Sequence, residues 1–151
     1  MTSQGRSKAA EPLAFAPGSV LDDYDVLFDY VLGEGLSGGV VLGVRRDTGE
    51  QVAVKLLPFS PAAVAEATLH ARCAGHPNVV ALHGVYRETL RLPYRNTTSE
   101  YVVLVMEKVA GGELFGRLAD GPLSETQACT IVRQLASVLS HMHSLNIMHS
   151  G

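Results

Sequence analysis

The stretch Gly33-Glu34-Gly35-Leu36-Ser37-Gly38-Gly39-Val40 has the spacing G-x-G-x-x-G-x-V. Glycines, lacking Cβ, let a backbone approach phosphate oxygens closely and present amide donors to them. In a chain with 15 glycines the pattern also fits an ordinary hairpin turn. A dinucleotide-binding fingerprint would need a helix directly after the glycines and an acid about 20 residues further on. Here Val40-Val41-Leu42-Gly43-Val44 continues as a strand instead. The second element is Val52-Ala53-Val54-Lys55, a lysine at the end of an apolar strand, with Glu66 following inside a helical stretch. Such a lysine would aim its ammonium under the glycine loop, toward a chain of phosphates, and the facing acid would hold it extended. Singly, each reads equally well as an exposed strand-end lysine or a solvated helical glutamate. Their order and spacing together favour phosphate binding.

The elements that must position these groups can be read from periodicity and turn residues. From Tyr24 to Lys55, short valine-, leucine- and aromatic-rich runs are broken by the glycine stretch and by Asp47-Thr48-Gly49, which predicts three antiparallel strands. Ser60-Pro61 is a helix start, serine capping free amides and proline losing no bond at the first position, and Gly75 and Pro77 stop that helix. Two more strands are predicted around 79–85 and 101–106, with the polar stretch 87–100 as their loop. Within it Asn96-Thr97-Thr98 matches a glycosylation sequon and reads as an unmodified turn. After Gly111-Gly112 the period becomes helical. Ser124 and Gln127 form a capping box, and Ala128, Ile131, Val132, Leu135, Val138, Leu139 and Met142 recur at spacings of three and four. Residues 1–18 are small, polar and proline-punctuated, a flexible lead-in, with order expected from near Leu21.

Composition bounds the partners. With 151 residues, 46% hydrophobic and 18% charged, against about 25% charged in typical domains, a packed single domain is expected. A net charge of −3 provides no basic field for nucleic acid and no charge run for a membrane surface. Two cysteines, Cys73 and Cys129, offer neither a disulfide framework nor a metal clip. No signal-peptide core or spanning apolar run is visible, so a soluble protein of the cytoplasm or nucleus is expected. The scarcity of acids before Glu11 leaves a transit peptide as the other reading. His141, His143 and His149 invite a metal reading, but positions two apart on a helix do not share a face and no cysteine or carboxylate set completes a site.

The glycine loop, Val52-Ala53-Val54-Lys55 and Glu66 in this order resemble the small lobe of a eukaryotic protein kinase. Further matches are Asp23-Tyr24, Glu66-Ala67-Thr68-Leu69-His70, His76-Pro77-Asn78-Val79-Val80, Val105-Met106-Glu107, Gly111-Gly112-Glu113-Leu114-Phe115 and His143-Ser144-Leu145-Asn146-Ile147. Among kinases the chain is most similar to the calcium/calmodulin-dependent group, particularly the mitogen-activated-protein-kinase-activated kinases. The resemblance implies an α+β fold: a five-stranded antiparallel sheet with one helix over 21–108, then a hinge and the first two helices of an incomplete large lobe over 109–151, after a lead-in at 1–20. It implies ATP as ligand. Gly33, Glu34, Gly35 and Gly38 would lie over the phosphates, Lys55 and Glu66 would form the positioning pair, and Val40 and Ala53 would sandwich the adenine. Met106 would be the gatekeeper, Glu107 and Val109 would lend backbone groups to the adenine edge, and Glu113 would touch ribose or a basic substrate residue. The bland reading of Glu113 is a carboxylate near a helix start.

The pattern then departs from the family. After His149, which resembles the opening of the His-Arg-Asp loop, come Ser150 and Gly151 rather than arginine and the catalytic aspartate. The Asp-Phe-Gly segment and the asparagine that hold magnesium are not among these residues either. The expectation is a truncated serine/threonine kinase that binds ATP weakly, lacks magnesium ligands and transfers no phosphate. The alternative is a non-catalytic interaction or regulatory module that docks a protein partner through the apolar face of helix 124–144.

Overall fold

The computed structural model describes residues 12–35, 38–93, 96–119 and 121–148, with the side chains of 34 and 35 left aside. Its elements run α1 (Val20–Asp23), β1 (Tyr24–Gly35), β2 (Gly38–Arg45), β3 (Gln51–Pro58), α2 (Pro61–Cys73), β4 (Leu82–Leu90), β5 (Ser99–Glu107), α3 (Leu114–Ala119) and α4 (Glu125–Ser144). The strands form one antiparallel sheet in the order β1-β2-β3-β5-β4. This is the α+β architecture expected from the sequence, with α3 and α4 following the sheet.

Local chemistry accounts for the element boundaries. Between β2 and β3, Gly49 takes φ +74° and its N–H donates to the Arg45 carbonyl at 2.8 Å, closing the turn read from Asp47-Thr48-Gly49. Ser60 caps α2 by accepting from the Ala63 N–H at 3.1 Å, and Pro61 occupies the first turn. Ser124 and Gln127 make both bonds of their capping box at the start of α4. Cys73 is buried at the end of α2, Cys129 is exposed on α4, and both are free thiols.

The sheet's period-2 alternation gives it two different faces. On one, Val41, Val52, Val54, Val103 and Val105 pack with Tyr24, Tyr86 and Val20. Gly43 sits beside this layer because a Cβ there would come within 2.7 Å of a Val54 methyl and 2.9 Å of a Val52 methyl. On the other face Leu57, Val85, Val102 and Leu104 cluster with Ala63 and Ala67 of α2.

Two expectations need correction. The fourth strand spans Leu82–Leu90 rather than 79–85, so part of the polar stretch 87–100 is strand. Residues 76–79 turn instead, with the Val79 N–H donating to the His76 carbonyl. Polarity misled there because β4 is an edge strand whose outward residues find cross-strand partners: Arg87 pairs with Glu100 at 2.6 Å and lies 4.3 Å from the Phe59 ring centroid, while Leu90 turns inward. The second correction concerns the lead-in. Packing begins before Leu21, for Leu13, Phe15 and Ala16 lie against the two apolar clusters, and Ser19 caps the short α1, which buries Val20.

The buried Tyr86 donates its hydroxyl to Asp23 at 3.2 Å and meets Tyr24 edge-on. Burial first, and then the hydrogen bond to Asp23, push its pKa up to about 12. The unfolded phenol ionises near 10, so this stabilisation is complete below pH 10 and is lost as pH rises toward 12. Replacing Tyr86 by Phe should therefore flatten the alkaline decline of stability between those values, a decline of up to about 1.4 kcal/mol per pH unit. Urea titrations from pH 8 to 12 measure this, and equal slopes for both proteins would contradict it.

Candidate nucleotide-binding site

Lys55 and Glu66 come together as their spacing suggested. The Lys55 Nζ donates to Glu66 Oε1 at 2.6 Å, joining β3 to α2. The side chains are 23% and 36% exposed, and for a pair this open to water the ion pair contributes only about 0–1 kcal/mol. Salt-bridge energy therefore cannot be what positions α2.

The strand register gathers the other predicted residues on the face that carries Lys55. Across β2 and β3, Val40 pairs with Lys55 and Leu42 with Ala53. Across β3 and β5, Lys55 pairs with Leu104 and Ala53 with Met106. Directly paired residues and those two positions along a strand share a face, so Val40, Ala53, Lys55 and Met106 form one patch. Each is partly buried, while Leu104, beside Lys55 on the same face, is fully buried. The patch is an apolar floor with one ammonium at its end.

Above it, β1 and β2 converge on their turn, with Gly33 opposite Val40, Glu34 opposite Gly39 and Gly35 opposite Gly38. Leu36 and Ser37 lie outside the described residues. Register shifts between Leu27 and Val31 and between Val31 and Gly33 bend β1 just before this point. The glycines differ in what they are for. A Cβ on Gly38 would fall 2.1 Å from the Leu56 carbonyl oxygen of β3, whereas one on Gly33 or Gly39 would meet nothing within 4 Å. Packing within the sheet therefore requires glycine at 38 and makes no such demand at 33 or 39.

The protein kinase domain family matches residues 28–150. The chain belongs to the protein kinase domain family. It is 37% identical over 132 residues to the MAP kinase-activated protein kinase 5 of Homo sapiens, covering 87% of this chain and 28% of that protein. It is 31% identical over 140 residues to the human MAP kinase-activated protein kinase 2, covering 91% and 33%. A calcium-dependent protein kinase 5 of Plasmodium falciparum is 32% identical over 149 residues, covering 95% and 24%. The chain thus spans a third or less of the length of these relatives. The resemblance to a protein kinase domain, and within it to the MAP-kinase-activated kinases, read from the motifs agrees with these matches.

The remaining family positions lie at the end of β5 and along the segment after it. The Glu107 N–H donates to the Ala81 carbonyl at 2.9 Å, and its carboxylate accepts from the Ala81 N–H at the same distance. The Glu107 amide is thereby committed to the β4 side, which narrows any role at an adenine edge to its carbonyl. Val109 is largely exposed, and Glu113 precedes α3, its carbonyl accepting from the Arg117 N–H at 3.2 Å. His149 lies outside the described residues.

Sequence reasoning did not find the contacts that tie α4 to the sheet half. Here His76 stacks on His141 with centroids 5.0 Å apart and its Nε2 lies 3.1 Å from the Ser137 hydroxyl. Arg72 of α2 donates to the Leu145 carbonyl, and Ile147 is buried. The sequence raised the histidines of α4 only as metal ligands and set that reading aside because positions two apart do not share a helix face, and nothing local to the sequence pairs 76 with 141.

The glycine geometry generates a comparison. Gly38→Ala should lower unfolding free energy by about 1–3 kcal/mol, as overpacking against fixed atoms does, while Gly33→Ala should stay within about 0.5 kcal/mol of the parent. Denaturant midpoints measure both, and equal losses at the two positions would contradict the assignment.

Proposed function

We propose that these residues are the ATP-holding half of a serine/threonine protein kinase. The observation that carries the reading is the 2.6 Å contact from Lys55 to Glu66 at the end of the patch formed by Val40, Ala53 and Met106. In this reading Gly33, Glu34, Gly35 and Gly38 lie over the phosphates and Lys55 meets the α- and β-phosphates. Val40 and Ala53 enclose the adenine with Met106 behind it. The Glu107 carbonyl and Val109 backbone meet the adenine edge, and Glu113 reaches the ribose or a basic substrate residue. The family relationship supports ATP as the ligand, and the serine/threonine class follows the relatives' MAP-kinase-activated group.

Transfer of the γ-phosphoryl group needs more than this half provides. Ser150 and Gly151 stand where the family places arginine and the catalytic aspartate, and a positioned base alone contributes about 10²–10⁴-fold. Magnesium, which the family uses, is a hard cation that takes carboxylate oxygens. Among the described residues no three His, Cys, Asp or Glu side chains gather into a cation site, and the reading assigns the metal no ligands in this half. We place the protein in the cytoplasm or nucleus. No helix among the described residues is long and apolar enough to cross a membrane.

A second reading has its own observation. Val132, Leu135 and Leu139 of α4 are 63%, 56% and 44% exposed, an apolar stripe of the kind that marks an interface. A non-catalytic module would dock a protein partner there. A pull-down of bound protein that Leu135→Asp and Leu139→Asp leave unchanged would reject it.

For the first reading, a fluorescent ATP analogue should bind the 151-residue protein weakly, and Lys55→Met should reduce its affinity by about tenfold, the loss expected for one charge-assisted contact. Radiolabelled ATP should yield no phosphopeptide. Unchanged affinity on removing Lys55, or transfer that Lys55→Met abolishes, would contradict this.

A further inference from the structure

We infer that Leu13 and Phe15, in the segment before α1, are positioning residues for the Lys55–Glu66 pair, because they hold α2 against the sheet. The inference rests on the nucleotide reading for its functional consequence, and on packing alone for its structural one.

The helix has little of its own to hold it. Its buried residues are Ala63, Ala67 and Cys73, and Val64 is the one larger apolar side chain of the helix that packs, partly buried, against the sheet cluster, so the face it turns inward is built mostly of small groups. Its far end is tied down by Arg72 to the Leu145 carbonyl and by His70 to the Val80 carbonyl at 2.8 Å. Among the described residues, the half that carries Glu66 makes no comparable hydrogen bond to another element apart from the ion pair itself, and is otherwise held by the Ser60 cap and the packing of its inward face.

Residues 12–19 supply what the alanines lack. The Ala16 N–H donates to the Val85 carbonyl at 2.7 Å, laying the segment along the open edge of β4. From there it reaches both faces of the sheet. Ala16 packs against the valine layer, while Leu13 and Phe15 pack against the cluster that contains Ala63 and Ala67. Leu13 also shares a cleft of about 330 Å³ with Thr68 and Ala71 of α2 and Val85 of β4. Beyond Ala16 the chain is fixed again where the Val20 N–H donates to Glu88. The segment is therefore a strap anchored on the edge strand, with its two large apolar side chains against the cluster that joins the sheet to the helix bearing Glu66. Without them, the alanine face of α2 would leave a gap, and closing it requires the helix to move.

Hydrogen exchange followed by mass spectrometry on the 151-residue protein tests this without nucleotide. In the Leu13→Ser/Phe15→Ser double variant, amides of 63–70 should exchange about tenfold faster than in the parent, while those of β2, β3 and β5 stay within about twofold, as local opening without global unfolding requires. Phe15→Leu should restore the parent rate. Should the double variant unfold globally, Ala16→Pro, which keeps Leu13 and Phe15 but removes the N–H given to Val85 and restrains the backbone at 15 and 16, decides by the same criterion. Unchanged exchange in α2, or acceleration spread evenly over sheet and helix, would overturn the inference. Binding of the fluorescent ATP analogue then separates the two claims. The strap variant should weaken it about threefold to fivefold with Glu66 present and not at all in a Glu66→Gln background, the coupling expected if both act through one contact. Equal weakening in both backgrounds overturns the positioning role. If the parent binds no analogue, the nucleotide reading fails and the exchange result alone judges the strap.

Discussion

Everything at this site depends on where α2 lies relative to β3, because only that spacing lets the Glu66 carboxylate reach the Lys55 ammonium. A lysine stem has four rotatable carbons and a strongly hydrated head, so the strand places its base and does little to fix its tip. Glu66 does the latter, at 2.6 Å. Yet a partly exposed ion pair is too weak to move a helix, and the causation runs the other way: packing sets the helix, and the helix sets the pair. The buried side chains of α2 are two alanines and a cysteine, and a methyl group contributes only about 0.8 kcal/mol on burial. The Ser60 cap, the ties at His70 and Arg72, and the apolar residues of the strap share the rest.

The sheet divides its work between its faces. One is a closed layer of valines and tyrosines with no polar side chain among its buried residues, and it gives the strands their register. The other trades that closure for use, since Val40, Ala53, Lys55 and Met106 remain partly open at positions fixed by the same register. A one-residue slip of β3 would send Lys55 into the valine layer, so the hydrophobic alternation that folds the sheet also decides which way the lysine points. The glycines show the same double origin, Gly38 serving close approach between strands and Gly33 leaving open space.

Much of this was legible in the residues. Short valine-, leucine- and aromatic-rich runs bounded by turn residues predicted β1, β2, β3 and β5, the Ser60-Pro61 and Ser124/Gln127 signals predicted the starts of α2 and α4, and the order of Lys55 and Glu66 predicted their meeting. What escaped was set by contacts distant in sequence. The outer residues of β4 are polar because they sit at an edge, and Arg87 finds Glu100 only once β5 lies alongside. The segment before α1 reads as small and unpatterned, yet Leu13 and Phe15 are partly buried by elements 40 and more residues away. The meeting of His76 with His141 likewise depends on α4 packing beside the turn after α2. At Glu107 the sequence suggested backbone use in general, and only the bond to Ala81 shows which backbone group is committed.

The most direct measurement is an amide chemical-shift titration of the isotope-labelled 151-residue protein with ATP. The account predicts saturable shifts grouped at Gly33, Gly38 to Val40, Ala53 to Lys55 and Met106 to Val109, with Glu66 moving alongside Lys55. Saturable shifts grouped elsewhere, or none at any of these positions up to millimolar ATP, would contradict it.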